Sequence, residues 1–548
     1  MFILFAVVVT WPQAARFATE AGDHQDVYFN MWRMGWLAHA AIAPEATLLD
    51  GNIFHPERNT LLFSDAMPVP SASAVPLLWA GVPPVLVHNL VLFAGILLSA
   101  IGMFVLARSL TGSAAAAVTA GLIFGFASYR FEHYSHMELQ WSVWIPWAFW
   151  ALERVRAHGR ARDGMALGVF LALQFMSSIY YGIYLAALIS IAVVCSLLLD
   201  FSRKQPLRRQ MMALAAAAGV ALVLCTPYAR PYLGVRNSLG VRGIGEVAQF
   251  SAKPTSYLAA SSSNVLFGRL TEPLGGQETR LFPGALALLL TGVCIFWRRS
   301  PRALIYIVGL IAAFELSLGV NGLIYPFLYQ HAPGFSALRA PARLGIFVLF
   351  FLAALAAFGH AVLAERFQLR LRVLAAVLWG ILLVEYCVAP LDLVPYPNRS
   401  PPLYAWLARQ PRGLVAELPL PTANVLPGDE ARYAYMSTFH WQPLVNGYSG
   451  YYPRSYLKTL ERLRRIRAET SVGVLRRTGV KYVIVHFVSW DPPESIAAAM
   501  VLYKDPSVQV VGQFDDGRGI AIVFELKDEA AAGNDRGKPS TSRSRLKR

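Results

Sequence analysis

The sequence predicts a polytopic α-helical membrane protein of about eleven transmembrane helices, followed by a C-terminal extracytoplasmic α/β domain. Three observations carry this. Of 548 residues, 55% are hydrophobic and only 15% charged, and the mean hydropathy is +0.44, outside the balance of a soluble domain. Apolar runs of about 18 to 25 residues recur, each enough to cross a hydrocarbon core of about 30 Å as a helix. A β-barrel would instead alternate over strands of about ten residues. Beyond Leu391 the pattern changes to short β-like runs around a helix-like stretch.

In chain order the spans fall at 1–17, 84–106, 114–128, 141–152, 165–178, 181–199, 211–228, 282–297, 303–318, 344–364 and 373–389. The first run is dense only from Phe2 to Trp11, which leaves a cleaved signal peptide as the alternative reading there. Alternate connections carry Arg108; Arg154, Arg156, Arg160 and Arg162; Arg203, Lys204, Arg208 and Arg209; Arg298, Arg299 and Arg302; and Arg366, Arg370 and Arg372. The positive-inside rule makes those connections cytoplasmic. The formal charge of +16 is thereby a topology signal and not a nucleic-acid footprint. Cys195, Cys225, Cys294 and Cys387 all lie in apolar runs without metal-ligand spacing, so they read as small core residues.

This orientation places the first loop (18–83), the 129–140 loop, the 231–281 segment, the 321–343 loop and all residues after Pro390 on the outer face. The expected domains are a transmembrane region, 1–390, an extracytoplasmic α/β domain, 391–527, and a disordered tail, 528–548, which has almost no large apolar residues. In the outer domain "LVAELPL", "KYVIVHF", "VQVVGQF" and "GIAIVFEL" are β-like, and "YLKTLERLRRI" is helix-like.

Polar detail concentrates on the outer face. The stretch "EAGDHQDVYFNMW" puts Asp23 and Asp26, with His24 between them, directly after the first run. The 27–42 segment that follows, which carries Asn30, has apolar residues at helical spacing and reads as an interfacial helix. By spacing alone Asp26 is equally an N-cap or a favourable charge in that helix's first turn.

The loop "YRFEHYSHMELQ" gathers Arg130, Glu132, His133, His136 and Glu138 at a bilayer surface, where such groups need partners or a wet cavity. His133 and His136 are three apart and with Asp26 form a candidate divalent-cation site; a hydrogen-bonded network is the plainer reading. No cofactor is otherwise predicted.

Arg339 and Arg343, in "GFSALRAPARLG", stand on the outer side against the charge bias. Guanidinium groups bind phosphate through directed hydrogen bonds; a salt bridge to Glu315 or a loop carboxylate is the alternative. The aromatic stretch "FHWQPLVNGYSGYYPRSY" reads as a packing face or a carbohydrate-stacking surface.

"GDHQD" followed by "VYFNMWRMGWLAHA" resembles the GT-C superfamily of polytopic glycosyltransferases, which includes protein O-mannosyltransferases and aminoarabinose transferases. The resemblance covers residues 1–389, with a soluble outer domain after it as in many members. It implies an inverting transfer of a sugar from a polyprenyl-phosphate donor to a glycan, lipid or protein acceptor at the outer face of a bacterial cytoplasmic membrane. Asp26 is then the catalytic carboxylate, with Asp23 next in line, since several characterised members have adjacent acids where this chain inserts His24 and Gln25. Arg339 and Arg343 become the phosphate-binding candidates, with Lys253 and Arg130 in reserve, and His24, Asn30, His133, His136 and Glu138 the polar support. A multi-span transporter or flippase and a non-catalytic envelope assembly protein are the competing readings.

Overall fold

The run "GIFVLFFLAALAAFGHAVLA" has no polar face, and a helix that is apolar all round has to be surrounded. Gly345–Arg366 is accordingly the innermost helix of its unit, buried from Gly345 to Val362. Its glycine allows a neighbour to approach closely: a Cβ at Gly359 would overlap the Leu290 carbonyl oxygen. The computed structural model describes residues 1–527 except 203–206, 240–242, 277, 298–299, 333, 367–370, 422–425, 464–469 and 488–491. The topology residues Arg203, Lys204, Arg298, Arg299 and Arg370 and the 528–548 tail lie outside the described residues.

The first unit comprises residues 1–38 and 65–396. Among the described residues it holds five helices long and apolar enough to cross a membrane: Pro84–Thr111, Ala114–Glu132, Ile179–Phe201, Leu207–Val235 and Pro341–Arg366. They range from 94% of the apolar window buried in Pro341–Arg366 to 11% in Leu207–Val235, which marks the latter as peripheral. The helix containing that peripheral span continues through Pro227 and Pro231 to Leu239, past its expected end at 228. Proline does not terminate a helix whose freed carbonyls find other partners.

The remaining six expected spans form shorter helices. The first run breaks into Phe2–Val9 and Gln13–Arg16 around Pro12, and the others become Trp144–His158, Ala161–Ser177, Ala285–Trp297, Pro301–Ser317 and Leu371–Glu385. At 1.5 Å per residue the longest of these, 17 residues, reaches about 25 Å, short of about 30 Å. Trp144–His158 buries Ile145, Ala148, Phe149 and Leu152 inside the protein. The ends are nonetheless well made. The Glu385 carboxylate accepts the Leu286 N–H at 3.3 Å and that of Ala285, which places an anion at the positive end of Ala285–Trp297.

Two elements of this unit position the site. The expected interfacial helix is Gln25–Ala40, which buries Asn30, Trp32 and Arg33 among others. Ahead of it β1 (Glu20–Gly22) pairs antiparallel with β2 (Leu393–Pro395), so both ends of the unit's chain close on one ribbon.

The second unit comprises residues 39–64 and 397–548. Part of the first outer loop thus folds with the C-terminal residues: Phe54 N–H donates to Asn446 O at 2.9 Å, and Asn52 Nδ2 donates to Ser437 Oγ at 3.0 Å. The four β-like runs form β3 (Leu414–Leu418), β4 (Val480–Phe487), β5 (Val508–Asp515) and β6 (Ile520–Leu526), in the order β3-β4-β6-β5. The β3–β4 pair is parallel and the others antiparallel. Val483, Val485 and Phe524 lie in the core over which Leu475 and Leu502 pack.

Candidate functional site

The "GDHQD" stretch is held from below by Tyr396. Its hydroxyl donates to Gly22 O at 2.7 Å and receives the His24 N–H at 3.3 Å, and its ring meets Tyr28 edge to face at 4.6 Å. The following helix opens with Asp26 in its first turn, and the Asp26 N–H is satisfied by His24 Nδ1 at 3.1 Å. His24 is therefore the residue that caps this helix, while Asp26 supplies a negative charge to its positive end. Asp23 is exposed.

Asp26 has a second partner. The 129–140 loop folds as two short helices, Ser128–Glu132 and Met137–Gln140, and brings His136 Nε2 to 3.1 Å from Asp26 Oδ2. His24 Nδ1 lies 3.8 Å from the same oxygen. The His136 ring sits 5.3 Å from His24 and 5.7 Å from His133, so three imidazoles line one path inward from Asp26. Asp26 and His136 retain 15% and 23% side-chain exposure, enough to meet a ligand from solvent. Burial lowers the His24 pKa, against the opposing pull of Asp26.

The path ends at an arginine. Arg343 donates to Glu278 through Nη2 at 2.7 Å and Nε at 3.1 Å, and its guanidinium lies 4.8 Å over the Tyr180 ring. Burial pushes the Glu278 carboxyl up, but Arg343 outweighs it and holds the group well below the usual carboxylate range. His133 Nε2 is 4.0 Å from Glu278, and burial lowers its pKa to about 3, so this imidazole is neutral. That buried nitrogen has no hydrogen-bond partner among the described residues.

A second branch lies alongside. Arg33, three residues after Asn30, donates to the Asn30 side chain, to Asp65 O at 2.6 Å and toward Glu138 at 3.3 Å; Asn30 in turn donates to Ser135 O at 2.9 Å. Asp65 Oδ2 accepts the Ile179 N–H at 3.2 Å and the Ser178 hydroxyl at 3.4 Å, at the N-terminus of Ile179–Ser202. Burial and the neighbouring Glu138 raise the Asp65 pKa to about 7.

Of the sequence-predicted residues, Asp26, His24, Asn30, His133, His136, Glu138 and Arg343 are brought together. The others are not. Arg130 is buried and spends its donors on Phe124 O, Gln140 O and Ser142 Oγ, at 3.1, 3.0 and 2.7 Å, which ties the loop down instead of presenting a cation to a ligand. Arg339 pairs with Glu246 at 3.6 Å and covers the Phe250 ring. Lys253 is exposed, and its backbone N–H caps the Pro254–Leu258 turn through Ser256 Oγ at 3.0 Å. Among the described residues no group of three or more His, Cys, Asp or Glu side chains is disposed to hold a metal ion. In the candidate Asp26, His133 and His136 set, His136 Nε2 is 3.1 Å from Asp26 Oδ2 while His133 Nε2 lies 4.0 Å from Glu278, an arrangement closer to the plainer reading of a polar network.

Sequence reasoning missed Arg33, Asp65, Glu278 and Tyr180. Arg33 alone left a signal: a cation on the inner face of an amphipathic helix, three residues from Asn30. Comparison with protein-family models finds no match to this chain, and comparison with curated proteins finds none either.

Proposed function

We propose that this chain is a glycosyltransferase of GT-C-like architecture, with about eleven membrane-associated spans and a C-terminal domain on the outer face of a bacterial cytoplasmic membrane. It moves a sugar from a polyprenyl-phosphate donor to an envelope glycan, lipid or protein acceptor. The observation that carries this reading is the continuous set of groups from Asp26 through His136 and His133 to Glu278 and Arg343. It supplies a carboxylate for an acceptor hydroxyl at one end and a cation for a phosphate at the other.

In the step itself, the acceptor oxygen attacks the anomeric carbon while its proton passes to Asp26, held in place by His136. The bond from that carbon to the phosphate oxygen breaks, and its electron pair remains on the phosphate. Arg343 offsets that developing charge, which a fixed guanidinium does without reorganising. A single displacement inverts the anomeric centre. Glu278 occupies the Arg343 fork, so a donor phosphate would enter by taking over part of that pairing.

The reading is tested by transfer of labelled sugar from a panel of polyprenyl-phosphate sugars to cell-envelope extracts, using the full chain in proteoliposomes. Transfer by wild type, with donor KM raised in Arg343→Lys more than acceptor KM, is the expected result. Failure of the wild type to transfer from any donor in a broad panel contradicts it.

A further inference from the structure

The Glu278 carboxylate is a guide to what Arg343 is shaped to hold. Oε1 accepts from Nη2 at 2.7 Å and Oε2 from Nε at 3.1 Å, the two-point geometry by which a guanidinium also takes a phosphate. Glu278 therefore marks an oxyanion site. It is, however, tethered: Gly276 N–H donates to Thr279 Oγ1 and Thr279 N–H to Gly276 O, both at 2.9 Å, and Arg280 pairs with Glu132 at 2.9 Å on the far side of that turn. A carboxylate held this way satisfies Arg343 and leaves the next donor short.

That donor is His133. Its Nε2 stands 4.0 Å from Glu278 Oε2, about 1 Å beyond a hydrogen bond. The nitrogen is buried and has no hydrogen-bond partner among the described residues, a condition that calls for an explanation in a native protein. Burial keeps the ring neutral, and the tautomer with its proton on Nε2 is the one that the facing carboxylate favours. The ring is also fixed in place. It lies 4.7 Å from the Tyr129 ring, and the His133 carbonyl accepts from Gln140 Nε2 at 2.7 Å and from the His136 N–H at 3.1 Å. Tyr129 in turn donates its hydroxyl to the Arg343 carbonyl at 3.4 Å, so the imidazole and the guanidinium stand on one connected frame. Donors fixed in this way need no reorganisation to meet a negative charge.

A phosphate group brought by a lipid is free of the tether that holds Glu278, and it can seat itself between the two side chains. We propose that His133 is a second phosphate-binding residue: when the donor phosphate replaces Glu278 on Arg343, His133 Nε2–H donates to the phosphate oxygen that stands in the place of Glu278 Oε2. This deepens the proposed function and rests on it for the identity of the donor. A hydrogen bond from a buried donor to a charged oxygen corresponds to about 10- to 100-fold in affinity. A neutral polyprenol gains nothing from it, so the contact also selects for the phosphorylated lipid.

The test measures binding of polyprenyl phosphate, and of polyprenol as the neutral control, to the full chain in proteoliposomes for wild type, His133→Phe and His133→Gln. Phenylalanine keeps a ring against Tyr129 and removes the N–H, while the glutamine amide restores an N–H near the position of Nε2. The expected result is a loss of about 10- to 100-fold in polyprenyl phosphate affinity for His133→Phe, most of it recovered in His133→Gln, with polyprenol binding the same in all three. Unchanged affinity in His133→Phe overturns the inference and leaves the donor reading standing. An equal loss in both variants, or a loss that extends to polyprenol, assigns His133 to packing and overturns it as well. Wild type that binds no polyprenyl phosphate overturns the donor reading and this inference with it. Should His133→Phe not fold, wild type with isotope-labelled histidine ring nitrogens gives the decision. The resonance that His133→Gln removes should move on addition of polyprenyl phosphate and not of polyprenol, and a resonance that stays fixed overturns the contact.

Discussion

Replacing Glu278 by Gln removes the negative charge facing Arg343 while keeping the side chain's size. In the native protein both carboxylate oxygens engage the guanidinium, at 2.7 and 3.1 Å, and the Arg343 side chain is only 6% exposed. Leaving one member of a buried ion pair uncompensated costs about 3–5 kcal/mol. The amide oxygen keeps one neutral acceptor, worth about 1 kcal/mol, so the ligand-free variant should lose about 2–4 kcal/mol. A donor phosphate entering the site restores the missing charge. Recovery of about 1.4–2.8 kcal/mol of the loss corresponds to about 10- to 100-fold tighter binding of polyprenyl phosphate than in wild type. The assay pairs thermal unfolding in detergent with a binding titration of polyprenyl phosphate. A Glu278→Gln variant that binds the lipid no more tightly than wild type refutes the idea that carboxylate and phosphate share Arg343. The depressed Glu278 pKa also makes a pH statement. Its contribution is present above the ordinary carboxylate value and lost as pH falls through the folded-state value, so Glu278→Gln should lack this acid-side loss.

Two further outcomes are expected. Asp65 binds its proton up to about pH 7 in the folded protein, against 3.8 ordinarily, so its contribution to stability is complete below the ordinary value and declines as pH rises to about 7. Asp65→Asn should flatten that decline in melts recorded from pH 5 to pH 8, and an unchanged slope would remove Asp65 from the account. In the second unit, burial works against protonation of His486, but Asp516 at 2.6 Å and Glu417 at 2.8 Å raise its pKa. Its contribution is therefore full below 6.5 and lost as pH rises through the folded value. His486→Gln strands two buried carboxylates at a cost of about 3–5 kcal/mol, and hydrogen exchange of β4 that is unaltered by it would refute that role.

The second unit's strands were legible because each is a short β-branched run bounded by turn residues. Nothing local told that residues 39–64 fold with them, since that link rests on hydrogen bonds such as Asn52 to Ser437, nearly 400 positions apart. The membrane region was legible as a class, while the lengths of its helices were not, because composition does not distinguish a lipid-facing run from the buried face of Trp144–His158. At the site, Asp26, His133 and His136 stood out because polar groups at a bilayer edge are costly unless used. Glu278 did not stand out, being one of three acids in a long loop, with Glu246 and Glu272, and taking its meaning only from Arg343, 65 positions on. Why His133 and His136 face different carboxylates is something spacing does not carry: two histidines three apart share a helical face only if a helix continues between them, and here the two helical turns are separated between Glu132 and Met137.

The central claim is that Asp26 takes the acceptor proton, and the most direct measurement compares sugar transfer by wild type and Asp26→Asn in proteoliposomes, with thermal unfolding of both recorded alongside. A positioned base contributes about 10²- to 10⁴-fold. Asp26→Asn should lose activity by that factor, with unfolding shifted by no more than the weakened first-turn charge allows, about 0.3–1 kcal/mol. Transfer retained within a few-fold, or a loss of activity matched by a large loss of stability, would contradict it and return Asp26 to the role of a helix-end charge.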